Sequence, residues 1–356
     1  MIHENAEPSR PTYSVALPPS KDVVEYARTA AQLGYERVWL FDSPAMYGDL
    51  WVAVARVAEA VPGIGLATGV AVTSLRHPMV TASAIATIEE LAPGRLWAYF
   101  GTGFTARFAM GQRGVRWADL ATYVRQVRAL LRGEVVEIDG AACQMLHQRG
   151  WGPARPIDVA LGLAPIGPKG FAVSRELADG VVLTSSTGNE DRHWPRAALL
   201  TNGTVLDPGE DHRSPRVLDA VGPAYVTGFH ALASWSPTLV QDAPGGSEWW
   251  RSIEAERPEP ERHLALHEGH LVTVTARDKP LLDAAGAQIL ATGWTGAPGS
   301  IAARMDAVGA AGITEVVYNP AGPDIRRELE AFATAARSPA EREQDANGDR
   351  LESETP

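Results

Sequence analysis

The chain has 356 residues, 45% hydrophobic and 21% charged, enough apolar material for one large α/β domain with its own core. Its formal net charge is −11 and its only lysines are Lys21, Lys169 and Lys279, which argues against a nucleic-acid partner, because affinity for a phosphate backbone rests on clustered positive charge. The single cysteine, Cys143, excludes an intrachain disulfide framework and a multi-thiolate metal centre, while the lack of a long apolar run or a charged-then-apolar leader predicts a cytoplasmic protein with no membrane partner.

Residues 1–10 and the tail 338–356 are polar and rich in Pro and Glu, so both are expected to be disordered around one domain at 11–337. Within it, short apolar β-type runs alternate with longer helical patterns, the signature of repeated βα units and a parallel sheet. A strand over 13–17 leads to a helix over 21–33 closed by Gly34. A strand over 37–41 is followed by Asp42 and a helix over 50–60. The next pair is 64–72 and 78–91, where Pro78 suits a first helical turn. The fourth pair is 95–100 and 117–131.

Asp139-Gly140 is a favoured two-residue turn and predicts a small hairpin of 134–138 with 141–146. The barrel pattern resumes with a strand over 156–161, a helix over 168–178, and strands over 180–184 and 198–206. From 207 to about 262, clusters of Pro, Gly and Trp break the pattern, which reads as a long insertion with helical pieces covering the barrel mouth. A helix over 297–311, a strand over 315–318 and a helix over 324–336 complete the domain. About eight βα units, the seventh indistinct, predict a single (β/α)8 TIM barrel with its insertion in the C-terminal half. An open doubly wound sheet would need a Gly-rich dinucleotide turn after the first strand, and Pro18-Pro19-Ser20 stands there instead.

In such a barrel the working residues lie at strand C-termini and in the loops that follow. Asp42-Ser43 comes after the second strand, where Asp42 either accepts hydrogen bonds from a bound polar group or caps the next loop. The glycines of Gly101-Thr102-Gly103-Phe104-Thr105 let backbone N–H groups approach a ligand, and Thr105 offers a hydroxyl to a phosphate or polar tail. Gly167-Pro168-Lys169-Gly170 opens a helix whose free N–H groups and lysine suit a phosphate, although Gly-Pro also serves simply to turn the chain.

His267-Glu268-Gly269-His270 brings two histidines and a carboxylate close to the expected lid. His267 and His270 are the candidates for catalytic acid–base or substrate contact, with packing or capping as the plain alternative. Their spacing with an intervening glycine does not match the zincin pattern, and no metal site is expected. His230 and His193 are weaker candidates of the same kind. Trp51, Phe104, Phe229 and Trp235 are candidates for an apolar substrate pocket, against the background that most aromatics in such a chain are core.

Leu66-Ala67-Thr68-Gly69-Val70, Arg76-His77-Pro78, Pro93-Gly94-Arg95 and Gly101-Thr102-Gly103, in this order and spacing, resemble the bacterial-luciferase-like superfamily. The likeness is closest to its coenzyme F420-dependent, methylenetetrahydromethanopterin-reductase-like branch. Gly167-Pro168-Lys169, Ala178-Asp179-Gly180, Thr295–Ser300 and Gly309–Ile313 extend the resemblance over roughly 13–190 and 290–335, and it lapses over about 207–285. It implies a non-prolyl cis peptide at Gly69–Val70, in a bulge that backs the central ring of the deazaflavin. It further implies Asp42, Ser43, Thr68, Gly101, Gly103 and Thr105 around the cofactor, and Gly167, Pro168, Lys169 and Gly170 at its phosphate.

Two positions depart from the pattern. Ser43 stands where luciferases and several deazaflavin enzymes carry a histidine, and Phe104 where the sugar-phosphate dehydrogenases carry a proton-moving glutamate, so that substrate class is not expected.

The resemblance implies an oxidoreductase that moves a hydride between coenzyme F420 and a small organic substrate without oxygen. The alternative is the flavin branch, in which reduced FMN arrives from a separate reductase and reacts with oxygen in a monooxygenase. A non-catalytic ligand-binding barrel is a further alternative, suggested by Ser43 and Phe104. A homodimer is the expected assembly, and the segment without resemblance is the one that would select the substrate.

Overall fold

The computed structural model describes residues 10–185 and 194–338, so His193 and all but Arg10 and Ser338 of the terminal segments 1–10 and 338–356 expected to be disordered lie outside the described residues. Eight parallel strands close on themselves: β1 (Thr12–Leu17), β2 (Arg37–Leu40), β3 (Gly65–Thr68), β4 (Leu96–Gly101), β5 (Ala160–Leu163), β6 (Val181–Leu183), β7 (Ala197–Thr201) and β8 (Glu315–Tyr318). Each pairs with its neighbour in sequence, and β1 pairs with β8 in the register Thr12↔Glu315 to Val15↔Tyr318, which completes the barrel. Ala71–Val72 continues β3 beyond a break at Gly69–Val70 and pairs with the end of β4.

Local signals set the helices. In α1 (Val23–Gln32) the chain turns out at Gly34, whose φ of 83° favours glycine. In α2 (Leu50–Ala60) the Asp49 carboxylate accepts from the amides of Trp51 and Val52. In α3 (Pro78–Leu91) Pro78 occupies the first turn and the His77 ring accepts from the Met79 amide. α4 (Trp117–Arg132) ends at Gly133 with φ 79°, and α5 (Gly167–Leu177) follows β5. The apolar faces of these helices bury Leu50, Val54, Ile85 and Val127 against the outer faces of the strands. Inside the barrel, Trp39 and Tyr99 meet edge to face at 4.9 Å among small residues such as Ala16, Ala67 and Ala198.

Three expectations shift. The fifth strand lies at Ala160–Leu163 rather than 156–161. The seventh stops at Thr201, and Val205 makes only an isolated bridge to Gly296. The hairpin forms as Val136–Ile138 against Ala141–Cys143, with Asp139 and Gly140 both at positive φ, as a type I′ turn needs.

The insertion is longer and more helical than its composition suggests. It holds α6 (Pro215–Trp235), α7 (Pro237–Asp242), α8 (Gly246–Glu256), α9 (Arg262–Leu266) and α10 (Lys279–Ala285), and it ends after a 3-10 stretch at Ala291. It has its own core, in which Val226, Val240, Trp249, Ile253 and Leu281 are buried. Buried Asp278 ties that core together by accepting from the Trp249 indole N–H at 2.9 Å and from both the amide and hydroxyl of Thr275. The chain then returns through α11 (Pro298–Ala310), β8 and α12 (Ile325–Ala336). Glu328 of α12, 3% exposed, accepts from Arg216 at 2.7 Å, Thr204 at 2.6 Å and Tyr318 at 3.0 Å, so one carboxylate joins the insertion, the loop after β7 and the last strand.

Candidate functional site

At the C-terminal ends of the strands lies a cavity of about 190 Å³. Asp42 and Ser43 come to its wall from the end of β2, and Gly69 and Val70 from the break in β3. Gly101, Gly103, Phe104 and Thr105 come from the end of β4. Ile166, immediately before α5, forms another wall, and His270 and Leu271 of the insertion close the top. The strand ends thus bring together eight of the residues singled out from the sequence, and the insertion adds His270 as a ninth. The Gly69–Val70 peptide is cis.

The glycines of the β4 end are sterically required. A Cβ on Gly101 would come within 2.5 Å of a Val70 methyl, and one on Gly103, at φ 74°, within 2.4 Å of a Val72 methyl. The cavity wall is therefore formed by valine side chains packed directly on glycine backbone.

Asp42 is fully buried, and its carboxylate accepts from the Val72 amide at 2.8 Å and from the Arg76 guanidinium at 2.8 and 3.0 Å. Arg76 reaches on to Asp49 at 2.7 Å. Burial pushes the Asp42 carboxyl above its ordinary value, against the opposing pull of Arg76. The arginine and histidine of Arg76-His77-Pro78 thus have separate physical tasks, one pairing with Asp42 and Asp49 and the other capping α3.

Several expected residues stand elsewhere. Thr68 is absent from the cavity wall: its hydroxyl donates to the Tyr99 carbonyl at 2.6 Å and accepts from the Tyr99 amide at 2.7 Å, which commits it to the β3–β4 junction. Trp51 is packed in the layer between strands and helices, and Phe229 lies against Trp249 and Tyr225 in the insertion. Trp235 is exposed at the rim, its ring 5.2 Å from Phe104. Gly167, Pro168 and Lys169 are exposed at the start of α5, next to the wall residue Ile166. Gly170 is a packing residue, since a Cβ there would meet Trp117 at 2.6 Å.

Beside the mouth runs a second, larger cleft of about 750 Å³, bounded by the loop after β1 and by 256–273 of the insertion. His267 lines this cleft, and His270 and Tyr47 line both spaces. The Tyr47 hydroxyl donates to the His270 carbonyl, and the His270 Nε2 lies 3.4 Å from the Thr105 hydroxyl. The His270 Nδ1 is 2.9 Å from the Nδ1 of His230, contributed by α6. His230 in turn stacks on Trp249 at 5.9 Å. Burial pushes His270 down to about 3 and His267 to about 4, and it holds His230 well below the ordinary imidazole value. Burial thus favours the neutral form of all three rings.

Leu271, next to His270, sits in the left-handed region at φ 60° and packs its side chain against the barrel interior. Arg76, Leu271, Ile166 and the closeness of His230 to His270 are absent from the sequence reading of the site. Arg76 had a signal, since it is a cation in a motif otherwise explained by capping. The others depend on tertiary placement of a segment without periodicity.

The model of a family described as luciferase-like monooxygenase matches residues 2–199. A 5,10-methylenetetrahydromethanopterin reductase of Methanolobus tindarius is 29% identical over 189 residues, covering 49% of this chain and 54% of the relative. An F420-dependent glucose-6-phosphate dehydrogenase of Beutenbergia cavernae is 30% identical over 193 residues, covering 48% and 54%. The matches therefore span about half the length of these curated relatives. The solved coenzyme F420 dependent tetrahydromethanopterin reductase of Methanopyrus kandleri superposes with a TM-score of 0.61 at 19% identity, covering 92% of this chain and 98% of that one, a likeness of fold. Among the described residues no helix is long and apolar enough to cross a membrane.

Proposed function

The chain belongs to the luciferase-like monooxygenase family, and from that premise we propose that it is an oxidoreductase that holds coenzyme F420 at the barrel mouth and exchanges a hydride with a small organic substrate. The observation that carries this reading is the mouth cavity itself. Its floor is Gly69–Val70 and its side is the Gly101–Gly103 backbone, with an exposed helix N-terminus and lysine next to its wall at Ile166. A flat ring fits against the Val70 and Gly101 side, and a phosphate-bearing tail leaving past Ile166 meets the free amides of α5 and Lys169. The curated relatives whose names carry a cofactor name F420, and the solved structures of like fold name F420 in some cases and FMN in another.

When bound, the deazaflavin supplies the carbon that carries the hydride; the protein positions and shields it. Val70 backs the ring, and Ser43 and Thr105 offer hydroxyls to its polar edge. Asp42 acts indirectly, its oxygens engaged by Arg76 and Val72, and holds the β2 and β3 ends at the correct separation. His270 is neutral and serves as a hydrogen-bonding group through Thr105. His267 faces the side cleft. Leu271 and Phe104 exclude water, and Phe104 with Trp235 forms the apolar rim that a substrate meets. A homodimer would cover the exposed Val52 and Val80 on the adjacent helices α2 and α3, and the expected location is the cytoplasm.

Parallel fluorescence titrations of the purified protein with F420 and with FMN test the reading. Tight binding of F420 with weak binding of FMN is expected. Preference for FMN would transfer the reading to oxygen-dependent monooxygenation fed by a separate reductase, and binding of neither would leave a ligand-binding barrel. In the same assay Lys169→Ala is expected to weaken F420 binding by about 1–3 kcal/mol, the worth of a charge-assisted contact to phosphate. An unchanged dissociation constant would make Lys169 a plain surface residue.

A further inference from the structure

We infer that His230, His267 and His270 form a binding site for a first-row divalent transition metal ion of the Zn²⁺ class, set between the barrel mouth and the side cleft. One nitrogen from each ring lies within 4.8 Å of the others. The rings face one another at centroid separations of 5.1 to 5.5 Å. All three side chains are buried, with residue exposures of 2%, 6% and 5%.

Hydrogen bonding within the protein accounts for only part of this arrangement. The His230–His270 contact pairs one nitrogen of each ring. Among the described residues His267 has no hydrogen-bond partner at either nitrogen, and both atoms are buried. Buried imidazole nitrogens left without partners are costly, yet this ring is packed facing two other imidazoles.

A metal ion resolves that situation, since neutral imidazole is the ligand form and three imidazoles with one open position make a four-coordinate site. Two nitrogens on tetrahedral zinc stand about 3.3 Å apart, so the 2.9 Å between His230 and His270 requires an opening of a few tenths of an ångström. His267 and His270 both line the side cleft, which gives the ion a route from solvent.

The supporting groups are in place. Trp249 stacks on His230 and is itself fixed by Asp278. Ligation of His270 through Nδ1 would also set its tautomer, placing the proton on Nε2, the nitrogen that faces Thr105 and the mouth. The site is independent of which coenzyme occupies the barrel.

The test uses the full chain, stripped with a chelator and titrated with Zn²⁺ against a chromophoric competitor. One equivalent is expected to bind, and His267→Ala, folded by circular dichroism, is expected to weaken binding at least about 100-fold. X-ray absorption of the zinc-loaded wild type is expected to show three imidazole nitrogens at about 2.0 Å, a readout that needs no variant. Absence of a stoichiometric site in the wild type, a shell with fewer than three imidazoles, or undiminished affinity in folded His267→Ala would each overturn the inference.

Discussion

Arg76 shows what a single charge does at the mouth. Its guanidinium compensates the buried Asp42 carboxylate and reaches the α2 cap Asp49, so Arg76→Ala leaves a carboxylate in the interior without a counter-charge. Loss of one partner from a buried pair costs about 3–5 kcal/mol, and a drop of that size in urea-unfolding free energy is expected; a change under about 1 kcal/mol would mean that solvent reaches Asp42. Leu271 makes a different prediction, because a left-handed backbone costs an L-residue roughly 1–2 kcal/mol. Truncation of Leu271 loses the same packing whether to Ala or to Gly, but only Gly relieves the backbone. Leu271→Gly should therefore be more stable than Leu271→Ala by about 1 kcal/mol, reversing their usual order. Equal stability, or the ordinary order, would mean the backbone relaxes without the side chain. At this scale the sequence was legible where a residue answers to its neighbours in the chain, as at Pro78 in the first turn of α3. It was misleading where an atom's partner is distant: Thr68 looked available, yet its hydroxyl is committed to Tyr99.

Among the elements, α2, α3 and β8 lie where the sequence places them, because each has a hard boundary signal: the Asp49 cap, Pro78 at a first turn, and a short apolar run bounded by turns. The fifth strand was read too early because the apolar residues around Ile157 resemble a strand, whereas only Ala160–Leu163 pairs with β4. The insertion resisted reading for another reason. Apart from α6 its helices are short, they are interrupted by 3-10 turns, and they are buried against one another rather than against a strand, so no single period persists. The histidine cluster was invisible for the same cause: α6 carries His230 to His270 only once that sub-core has formed, and the 267–270 spacing alone argued against a metal. Asp278 is the keystone of the sub-core. Asp278→Ala strands the Trp249 indole and the Thr275 amide and hydroxyl, and is expected to cost about 3 kcal/mol. Hydrogen exchange should show lost protection in α8 and α10 while β1–β8 remain protected; loss spread evenly over the barrel would contradict a separately stabilised insertion.

For the molecule as a whole, Glu328 is one of the links between the two cores. Its carboxylate is shared by Arg216 of the insertion, Thr204 after β7 and Tyr318 of β8, so Glu328→Ala should lower global stability by about 3–5 kcal/mol. Both cores should still melt together, as followed by tryptophan fluorescence, and two separated transitions in the wild type would contradict the coupling. The overall architecture was the most legible level, since alternating strands and helices leave few ways to bury both faces of a parallel sheet. Closure of that sheet bears on how the protein is made. One edge of β1 finds its partner only in β8, about 300 residues later. At a synthesis rate of about 5–20 residues per second, that edge waits roughly 15–60 s for its mate. A nascent chain emerging from the ribosome thus carries an open strand edge throughout elongation, the state in which strands recruit foreign partners, and its yield in the cell should depend on chaperones more than its finished stability would suggest.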